Sequence, residues 1–432
     1  MVDDIVSHST LLLKPDPSRV VIRPFTPAED EDEFAVAGCT RAQRIADRVL
    51  SLDAAEVAEE LHGIVASLNE HHRDVKRVLL RRFHEINGLH IAASSVSDNQ
   101  AHLIGAYFSE EYAFEAAALF NPNIVPALDQ GGLPAGALRF ILSLRGVGEG
   151  HVSSITFRTG VLLNDCSVIV DPASEWAVSP RIKSIPGGNP DDPGVRLFCE
   201  GSHDISETVI FPVTDRQRHG IEDLRMVRFV DDDGDATYLG TYTAFSGSDI
   251  REELLRTVDF QTIDLTALGG RAARAKGMAL FPRKIAGRYA TIGRQDHENI
   301  WLLTSDDLYQ WEGGAKIVTP RWPWEFIQIG NCGSPIEIDE GWLVITHGVG
   351  AVRTYCIGAC LLDKDDPSKV LARVTAPLIH PTETERYGYV PNVVYSCGAL
   401  VHGRTLLLPY ALADNVTTFA TVRLDALIAA MA

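Results

Sequence analysis

Short apolar segments that follow glycine-bearing turns recur at a wide interval, and this repetition constrains the fold more than any other feature. Four turn glycines lie 53 to 62 residues apart, at Gly234, Gly287, Gly341 and Gly403. Their β-branched and aromatic content predicts strands at 237–245, 288–294, 300–304, 342–349 and 405–412. No helical pattern separates these segments, which argues against a β–α–β design. The repetition predicts an all-β domain of radially repeated hairpins, a β-propeller, with a β-sandwich as the alternative.

The N-terminal part of the chain has the pattern of helices. Residues 41–85 contain no proline and a single glycine, and apolar residues recur there at spacings of three and four. Asp53, followed by Glu56, is typical of a helix start. We expect two or three helices within about 30–85, and their apolar stripe predicts a homo-oligomer formed through these N-terminal helices. The expected division of the chain is an N-terminal segment over 1–103 and a β domain over 104–432.

Composition and spacing exclude several partners. The formal charge is -19, from 58 acidic and 39 basic residues, so we expect neither nucleic acid nor a membrane surface as a partner. There is no apolar run of 18 residues and no secretory signal pattern at Met1, which favours a cytoplasmic protein with reduced thiols. The histidines and seven cysteines show no metal-ligand spacing, so no metal and no cofactor are expected.

Six parts of the sequence place charged or amide side chains beside turns or strand ends. They are LFNPNIVP (119–126), SLRGVGEGH (143–151), GIEDLRM (220–226), LFPRKIAGRYATIGR (280–294), IQIGNCGSP (327–335) with ITHGV (345–349), and YGYVPNVVY (387–395) with PYALAD (409–414). Each alone is compatible with a structural role. Glu222 and Asp223 can form a surface turn, and His347 can be a buried histidine bonded to a backbone carbonyl.

In this order the segments resemble glycoside hydrolase family 130, five-bladed propellers that include β-mannoside phosphorylases and some β-mannosidases. FNPNIVP is similar to the family's FN-S/P-A-V-V-P, Asp223-Leu224-Arg225 to its D-P-R motif, and ALFPRKIAGRYA to LFPRKINGRFA. IQIGNCGSPIEIDEGWLVITHGV, GYVPNVVY and YALAD follow the family's order as well. The resemblance extends from about Gly105 to the end. It implies a five-bladed β-propeller, here with an N-terminal helical extension.

The resemblance also implies roles for individual residues. Asp223 matches the family's general acid, and members are thought to pass its proton through a mannose hydroxyl. The mannose-binding positions match Asn121, Arg145, Arg225 and Asp414. The phosphate-side positions match Arg283, Arg294 and His347. From the residues themselves, we expect the like charge of Glu222 to raise the pKa of one carboxyl of the Glu222–Asp223 pair, which suits a proton donor.

The expected reaction is an inverting, phosphate-dependent cleavage of β-mannosidic bonds in short manno-oligosaccharides, with release of mannose 1-phosphate. Inorganic phosphate is then a co-substrate that cationic groups must hold. Hydrolysis by water, as in a β-mannosidase, is the alternative, and a non-catalytic glycan-binding propeller is a third reading. Three departures from the family bear on this choice. Leu224 replaces the proline of D-P-R, Gln328 replaces a lysine near phosphate, and FRTG (157–160) replaces a substrate loop.

Overall fold

The computed structural model describes residues 5–28, 39–91, 95–189, 192–385 and 388–432. Two units make up the chain. The helical unit consists of Ser18–Ala113 and Ser174–Ser179. The strand unit consists of Met1–Pro17, Phe114–Ala173 and Pro180–Ala432.

Four helices form most of the helical unit: α1 (Arg41–Leu50), α2 (Ala54–Leu68), α3 (Val75–Glu85) and α4 (Asp98–Tyr107). Helix α2 begins after Asp53, as predicted. The Asp53 side chain accepts hydrogen bonds from two backbone N–H groups of the first turn, and the Glu56 side chain accepts one from the Asp53 backbone N–H. Two antiparallel strands, β2 (Val20–Pro24) and β3 (Ser109–Ala113), complete the unit. The possible extension of the helices back to Asp30 lies outside the described residues. No described helix is long and apolar enough to cross a membrane.

The apolar stripe of α2 is partly used inside the helical unit. Val57 is buried in one cluster with Leu103 of α4, and Leu61 in another with Leu79 of α3. Much of the stripe is therefore already covered, and self-association through these helices stays a prediction.

The strand unit contains antiparallel sheets of four to six strands. In sequence order they contain the following strands. The first sheet has β4 (Ala118–Pro126), β5 (Leu138–Val147), β6 (Ser153–Leu162), β7 (Val168–Val170) and β10 (Val209–Ile210). The second has β8 (Arg181–Asn189), β9 (Asp192–Phe198), β11 (Gly220–Val230), β12 (Ala236–Phe245), β13 (Ile250–Thr257) and β14 (Thr262–Ala267).

The remaining sheets follow in the second half of the chain. The third has β15 (Lys276–Leu280), β16 (Tyr289–Arg294), β17 (Ile300–Ser305) and β18 (Gly314–Val318). The fourth has β19 (Gln328–Asn331), β20 (Ile336–Ile338), β21 (Gly341–Val349), β22 (Tyr355–Leu362) and β23 (Val370–Arg373). The fifth has β1 (Val6–His8), β24 (Val394–Tyr395), β25 (Leu400–His402), β26 (Thr405–Leu412) and β27 (Val416–Arg423), with helix α5 (Leu424–Ala429) beside β27.

Separate hydrophobic clusters fill the interfaces between successive sheets, and the series returns to its start. Representative buried pairs, from the first–second interface to the fifth–first, are Ile141 with Met226, Leu254 with Met278, Ile292 with Val344, Ile345 with Leu408, and Leu407 with Leu142. The sheets of the strand unit therefore follow one another in a cyclic order. This confirms a mostly β chain with few helices.

The unit boundary differs from the sequence-based one at residue 103. Gly105 still lies in α4. A Cβ at this position would lie 1.9 Å from the Leu79 carbonyl oxygen, so glycine is required where the two helices pack. The strand unit resumes at Phe114, and it also contains β1 from the N-terminal end. The FRTG segment (157–160) lies within strand β6 and is not a loop. Its Arg158 forms a buried ion pair with Glu115.

Candidate active site

One edge strand in each of the first three sheets has the same backbone irregularity. In β4, β11 and β15 the pairing with the next strand skips residues, and a residue in each gap has a positive φ. These residues are Asn121 (48°), Asp223 (56°) and Gly277 (87°). This conformation costs a residue other than glycine about 1–3 kcal/mol, and such strain collects at functional sites. A bulge of this kind changes the direction of its side chain, which no longer follows the regular alternation between the two faces of the sheet.

The bulged residues Asn121 and Asp223 are joined directly. The side-chain Nδ2 of Asn121 donates to Oδ1 of Asp223 at 2.7 Å, and Arg145 Nη1 lies 3.4 Å from the same oxygen. On the other side, Arg225 Nη1 donates to the backbone carbonyl of Asp223 at 3.0 Å. The Asp223 side chain keeps 20% of its surface exposed, so the carboxylate is held in place yet accessible.

Arg225 lies behind Asp223. Its side chain is 1% exposed, and its Nη2 donates to the Tyr395 hydroxyl at 2.8 Å. The resemblance implied that Arg225 contacts the substrate, but the structure gives it no free surface. Arg225 is therefore a positioning residue for Asp223.

Glu222 belongs to a second charged pair beside Asp223. Arg145 Nη2 donates to Glu222 Oε1 at 3.0 Å, and Lys276 Nζ donates to Glu222 Oε2 at 3.0 Å. Arg145 thus bridges the two carboxylates, with its guanidinium carbon 5.1 Å from the ring centroid of Phe120. The charge of Glu222 is balanced by Arg145 and Lys276.

The expectation that Glu222 raises the pKa of its partner is wrong for Asp223. Burial by itself would raise the pKa of Asp223, but the positive charges of Arg145 and Arg225 and the Asn121 hydrogen bond lower it below its usual range. In the ligand-free site Asp223 is therefore a carboxylate at neutral pH. A proton must reach it before it can act as an acid.

Asp414 supplies a carboxyl of the opposite kind. It has a positive φ of 51°, and its pKa is raised to about 6, by burial first and then by the negative charge of Asp223. Arg145 and Arg353 oppose this shift. The structure therefore places Asn121, Arg145 and Asp414 around Asp223.

Arg294 and His347 lie together on another side of the same centre. A Cβ added to Gly330 would lie 2.4 Å from the His347 ring and 2.6 Å from Cδ of Arg294, so only glycine fits between them. A Cβ at Gly277 would lie 3.3 Å from Arg294 Nε, which brings the bulge of β15 into the same group. The Arg294 guanidinium has no hydrogen-bond or ion-pair partner among the described residues.

His347 does not supply a charge. Burial first, and then the neighbouring charges of Arg294 and Arg225, hold the pKa of His347 well below its usual value. The imidazole is therefore neutral, and its Nε2 has no partner within the described part of the chain. In the ligand-free site His347 can donate or accept a hydrogen bond, but it does not carry the positive charge expected of a cationic phosphate ligand.

Arg283 does not join this group. Its Nε and Nη2 donate to the two carboxylate oxygens of Glu337 at 2.9 and 2.8 Å, and its guanidinium carbon lies 5.1 Å from the Trp342 ring centroid. Both residues of the pair line a separate cavity of about 350 Å³. Of the three residues that match the family's phosphate-side positions, Arg294 and His347 therefore lie together, and Arg283 is bonded to Glu337 instead.

Three residues of the centre were missed at the level of sequence: Lys276, Glu252 and Tyr395. Lys276 opens β15 beside Gly277, and a lysine before a glycine is an ordinary turn pattern. Glu252 lies in β13. Two adjacent acidic residues inside an otherwise strand-like segment were the sequence feature that could have indicated it. Tyr395 lies in β24, and its hydroxyl receives the Arg225 bond. Among the described residues, no group of three or more histidine, cysteine or acidic side chains could hold a metal ion.

A family model described as beta-1,4-mannooligosaccharide phosphorylase, that of glycoside hydrolase family 130, matches residues 200–432. The match spans more than half of the chain. The chain belongs to glycoside hydrolase family 130. This family 130 protein is accordingly an enzyme of the glycoside phosphorylase or glycoside hydrolase type.

Curated relatives of this family 130 chain are named phosphorylases. The 1,2-beta-oligomannan phosphorylase of Thermoanaerobacter sp. (strain X514) is 35% identical over 217 residues, which cover 49% of this chain and 71% of that protein. The beta-1,2-mannobiose phosphorylase of Listeria innocua serovar 6a is 32% identical over 214 residues, covering 48% and 58% of the two chains. The aligned region thus spans between about half and three quarters of these relatives.

A solved structure supports the fold of this family 130 member. The beta-1,2-mannobiose phosphorylase from Listeria innocua, in complex with beta-1,2-mannobiose, superposes with a TM-score of 0.51 at 22% identity. The superposition covers 73% of this chain and 92% of that one. At this identity the likeness concerns the fold alone.

Proposed function

We propose that this chain cleaves β-mannosidic bonds of short manno-oligosaccharides with inorganic phosphate and releases mannose 1-phosphate with inversion. Its strand unit is then a five-bladed β-propeller, in which each sheet is one blade. The cyclic series of hydrophobic clusters supports that architecture. The proposed site lies where the edge strands β4, β11 and β15 contribute their bulged residues, as expected for an axial ligand site.

The observation that carries phosphorolysis is the unpartnered guanidinium of Arg294. Within the described ranges this cation has no counter-ion and the Nε2 of the neutral His347 imidazole beside it has no partner, so together they offer an anion both charge and a hydrogen-bonding group. Lys276, bonded to Glu222, adds a second cation nearby. The name of the family model and the names of the relatives, phosphorylases of β-mannosides, point in the same direction.

Asp223 is the proposed proton donor, with Asn121, Arg145 and Asp414 around the mannose. Because Asp223 is ionised in the ligand-free site, it must take up a proton once substrates bind. A phosphate dianion near Arg294 and Lys276 adds negative charge to the centre, which raises the pKa of Asp223 and favours this uptake. The proton then reaches the leaving oxygen, directly or through a mannose hydroxyl.

Phosphate attacks from the opposite face of the ring in a single displacement, so a β-linked mannose leaves as the α-phosphate. Arg294 positions the attacking oxygen, and the uncharged His347 can donate to another phosphate oxygen. No carboxylate base is needed, because the phosphate dianion is itself the nucleophile.

The deciding experiment incubates the protein with β-1,2- and β-1,4-mannobiose, with and without inorganic phosphate. Phosphorolysis requires that cleavage depends on phosphate and that the product is α-mannose 1-phosphate by phosphorus and proton NMR. Equal release of free mannose without phosphate would instead identify a β-mannosidase. Tight disaccharide binding with no turnover in either buffer would leave the glycan-binding reading.

A further inference from the structure

Glu252 is a buried carboxyl group that the proposed reaction does not use. It lies in β13 with 0% of its surface exposed. One carboxylate oxygen, Oε1, accepts the backbone N–H of Gly277 at 2.7 Å, but Oε2 has no hydrogen-bond partner in the described structure. Burying a carboxylate with a free oxygen is costly, and such a group calls for an explanation.

The groups that face Glu252 come from three neighbouring strands. They are Arg225 from β11, the Thr243 hydroxyl from β12 at 3.5 Å, and Lys276 with the N–H groups of Gly277 and Met278 from β15. The segment after β14 contributes only the Leu268 N–H, which bonds to the Glu252 backbone carbonyl. Both charged neighbours are therefore cations of the catalytic centre.

Gly277 connects Glu252 to the proposed anion site. Its N–H binds the Glu252 carboxylate, while the position of its missing Cβ lies 3.3 Å from Arg294 Nε. Only one glycine thus separates Glu252 from the guanidinium that would hold phosphate. A negative charge on Glu252 is close enough to oppose a dianion there.

Burial raises the pKa of Glu252 to about 7, against the opposing influence of Arg225 and Lys276. Near neutral pH the group therefore exists as both carboxylate and acid. Its neutral form needs no counter-charge, so it does not offset the positive charges of Arg225 and Lys276 in this centre.

We propose that Glu252 couples anion binding to the uptake of one proton: a dianion beside Arg294 is held with Glu252 as the neutral acid, and ionised Glu252 weakens its binding. The proton comes from solvent and rests on the Glu252 carboxyl; no covalent bond changes. This inference rests on the proposed phosphate site. Glu252 is a positioning residue for that site and need not touch substrate.

The test measures the affinity of the full chain for sulfate between about pH 6 and pH 8.5, since sulfate keeps its double charge throughout while phosphate does not. In the wild type the sulfate Kd should rise above pH 7, by up to about tenfold per pH unit for a one-proton linkage. In Glu252→Gln the amide oxygen can still accept the Gly277 N–H, and the Kd should stay nearly constant. Asp231→Asn should keep the wild-type slope, because Asp231 is paired with Lys284 outside this centre and its pKa is lowered below its usual value by that bond.

A second measurement counts the protons directly. Calorimetry of sulfate binding at about pH 7, in two buffers of different ionisation enthalpy, should show uptake of a fraction of a proton by the wild type and less uptake by Glu252→Gln. A wild-type affinity independent of pH, the absence of proton uptake, or a Glu252→Gln slope equal to the wild type would overturn the inference.

Failure of the inference can be told apart from failure of the proposed function. Sulfate and phosphate binding that Arg294→Gln abolishes, with a pH slope that Glu252→Gln leaves unchanged, overturns the role of Glu252 alone. Wild-type protein that binds neither anion, or binds them equally well after Arg294→Gln, overturns the phosphate site and the coupling with it.

Discussion

Asn121 and Asp223 lie in edge strands of neighbouring sheets, both with positive φ, and the Asn121 amide donates to the Asp223 carboxylate at 2.7 Å. Each strained residue therefore holds the other's side chain. The hydrogen bond also helps to keep the pKa of Asp223 low in the ligand-free protein. The acid of the proposed reaction is thus fixed in place but not yet protonated.

Replacing Asp223 by asparagine should lower turnover by at least about 100-fold, because a general acid contributes about 10²–10⁴ in rate. Disaccharide affinity should change far less, since the amide keeps the shape of the carboxylate. Steady-state kinetics on the better mannobiose measures both. Asp231→Asn, just beyond β11 in an exposed pair with Lys284, is the control and should leave turnover unchanged. A variant of Asp223 with more than about a tenth of wild-type turnover would move the role of acid to Glu222.

Two substitutions at Asn121 should separate its hydrogen bond from its backbone strain. Asn121→Gly keeps the positive φ but removes the donor, so the pKa of Asp223 should rise and the basic limb of the pH–rate profile should move to higher pH. Asn121→Ala removes the donor and adds strain, and should be less stable than the glycine variant by about 1 kcal/mol. The measurements are pH-dependent kcat/KM and urea unfolding. An unmoved basic limb in the glycine variant would contradict this role of Asn121.

Arg294→Gln should raise the phosphate KM by about 10- to 100-fold, which corresponds to loss of one charged hydrogen-bonding group. Disaccharide KM should change much less. Arg283→Gln is the matched control, because Arg283 is bound to Glu337 outside the centre, and its phosphate KM should stay within about twofold of the wild type. If the two variants exchanged these behaviours, the resemblance-based assignment of Arg283 would be right after all.

Glu252 should also make stability depend on pH. Its pKa is 4.5 as an ordinary glutamate and about 7 in the folded chain, so the folded state binds the proton more tightly. That contribution to stability is fully present below about pH 4.5 and is lost as the pH rises through 7, up to about 3 kcal/mol in all. Glu252→Gln should therefore gain stability relative to the wild type between pH 5 and pH 8 in urea unfolding. A constant difference between the two proteins would show that Glu252 does not titrate in this range.

Much of the β-rich fold was predictable, because the local composition of a strand and of its flanking turns indicates where the strand lies. The five strand segments predicted from composition coincide with strands to within one residue, and the helix start at Asp53 has the capping contacts that its sequence suggested. The structure divides the two units later than residue 103, since α4 and β3 extend the helical unit to Ala113. The return of β1 to the fifth sheet has no local signal, because three residues pair with a strand more than 400 positions away.

The identity of the site residues was predictable where a motif contains them. Their charge states were harder to predict, because these depend on neighbouring residues. The structure brings Asp223, Asn121, Arg145 and Asp414 together, but their charge states depend on distances that the sequence does not contain. Arg145 between two carboxylates lowers the pKa of Asp223, while burial makes His347 neutral. Arg283 shows that a match to a motif does not by itself place a residue in the site. It lies within a matching motif, yet its guanidinium is bound to Glu337.

Strand β1 pairs with β27, so that Val6 lies opposite Val422. During translation the first strand leaves the ribosome long before its partner exists. The fifth sheet can be completed only after more than 400 further residues have been synthesised, and contacts between such distant segments form slowly. Until β1 has paired, the outer edge of β27 is open to pairing with other chains. The last step of folding, rather than the first, should thus limit the yield of this protein, and variants that weaken the β1–β27 pair should aggregate during expression before they lose activity.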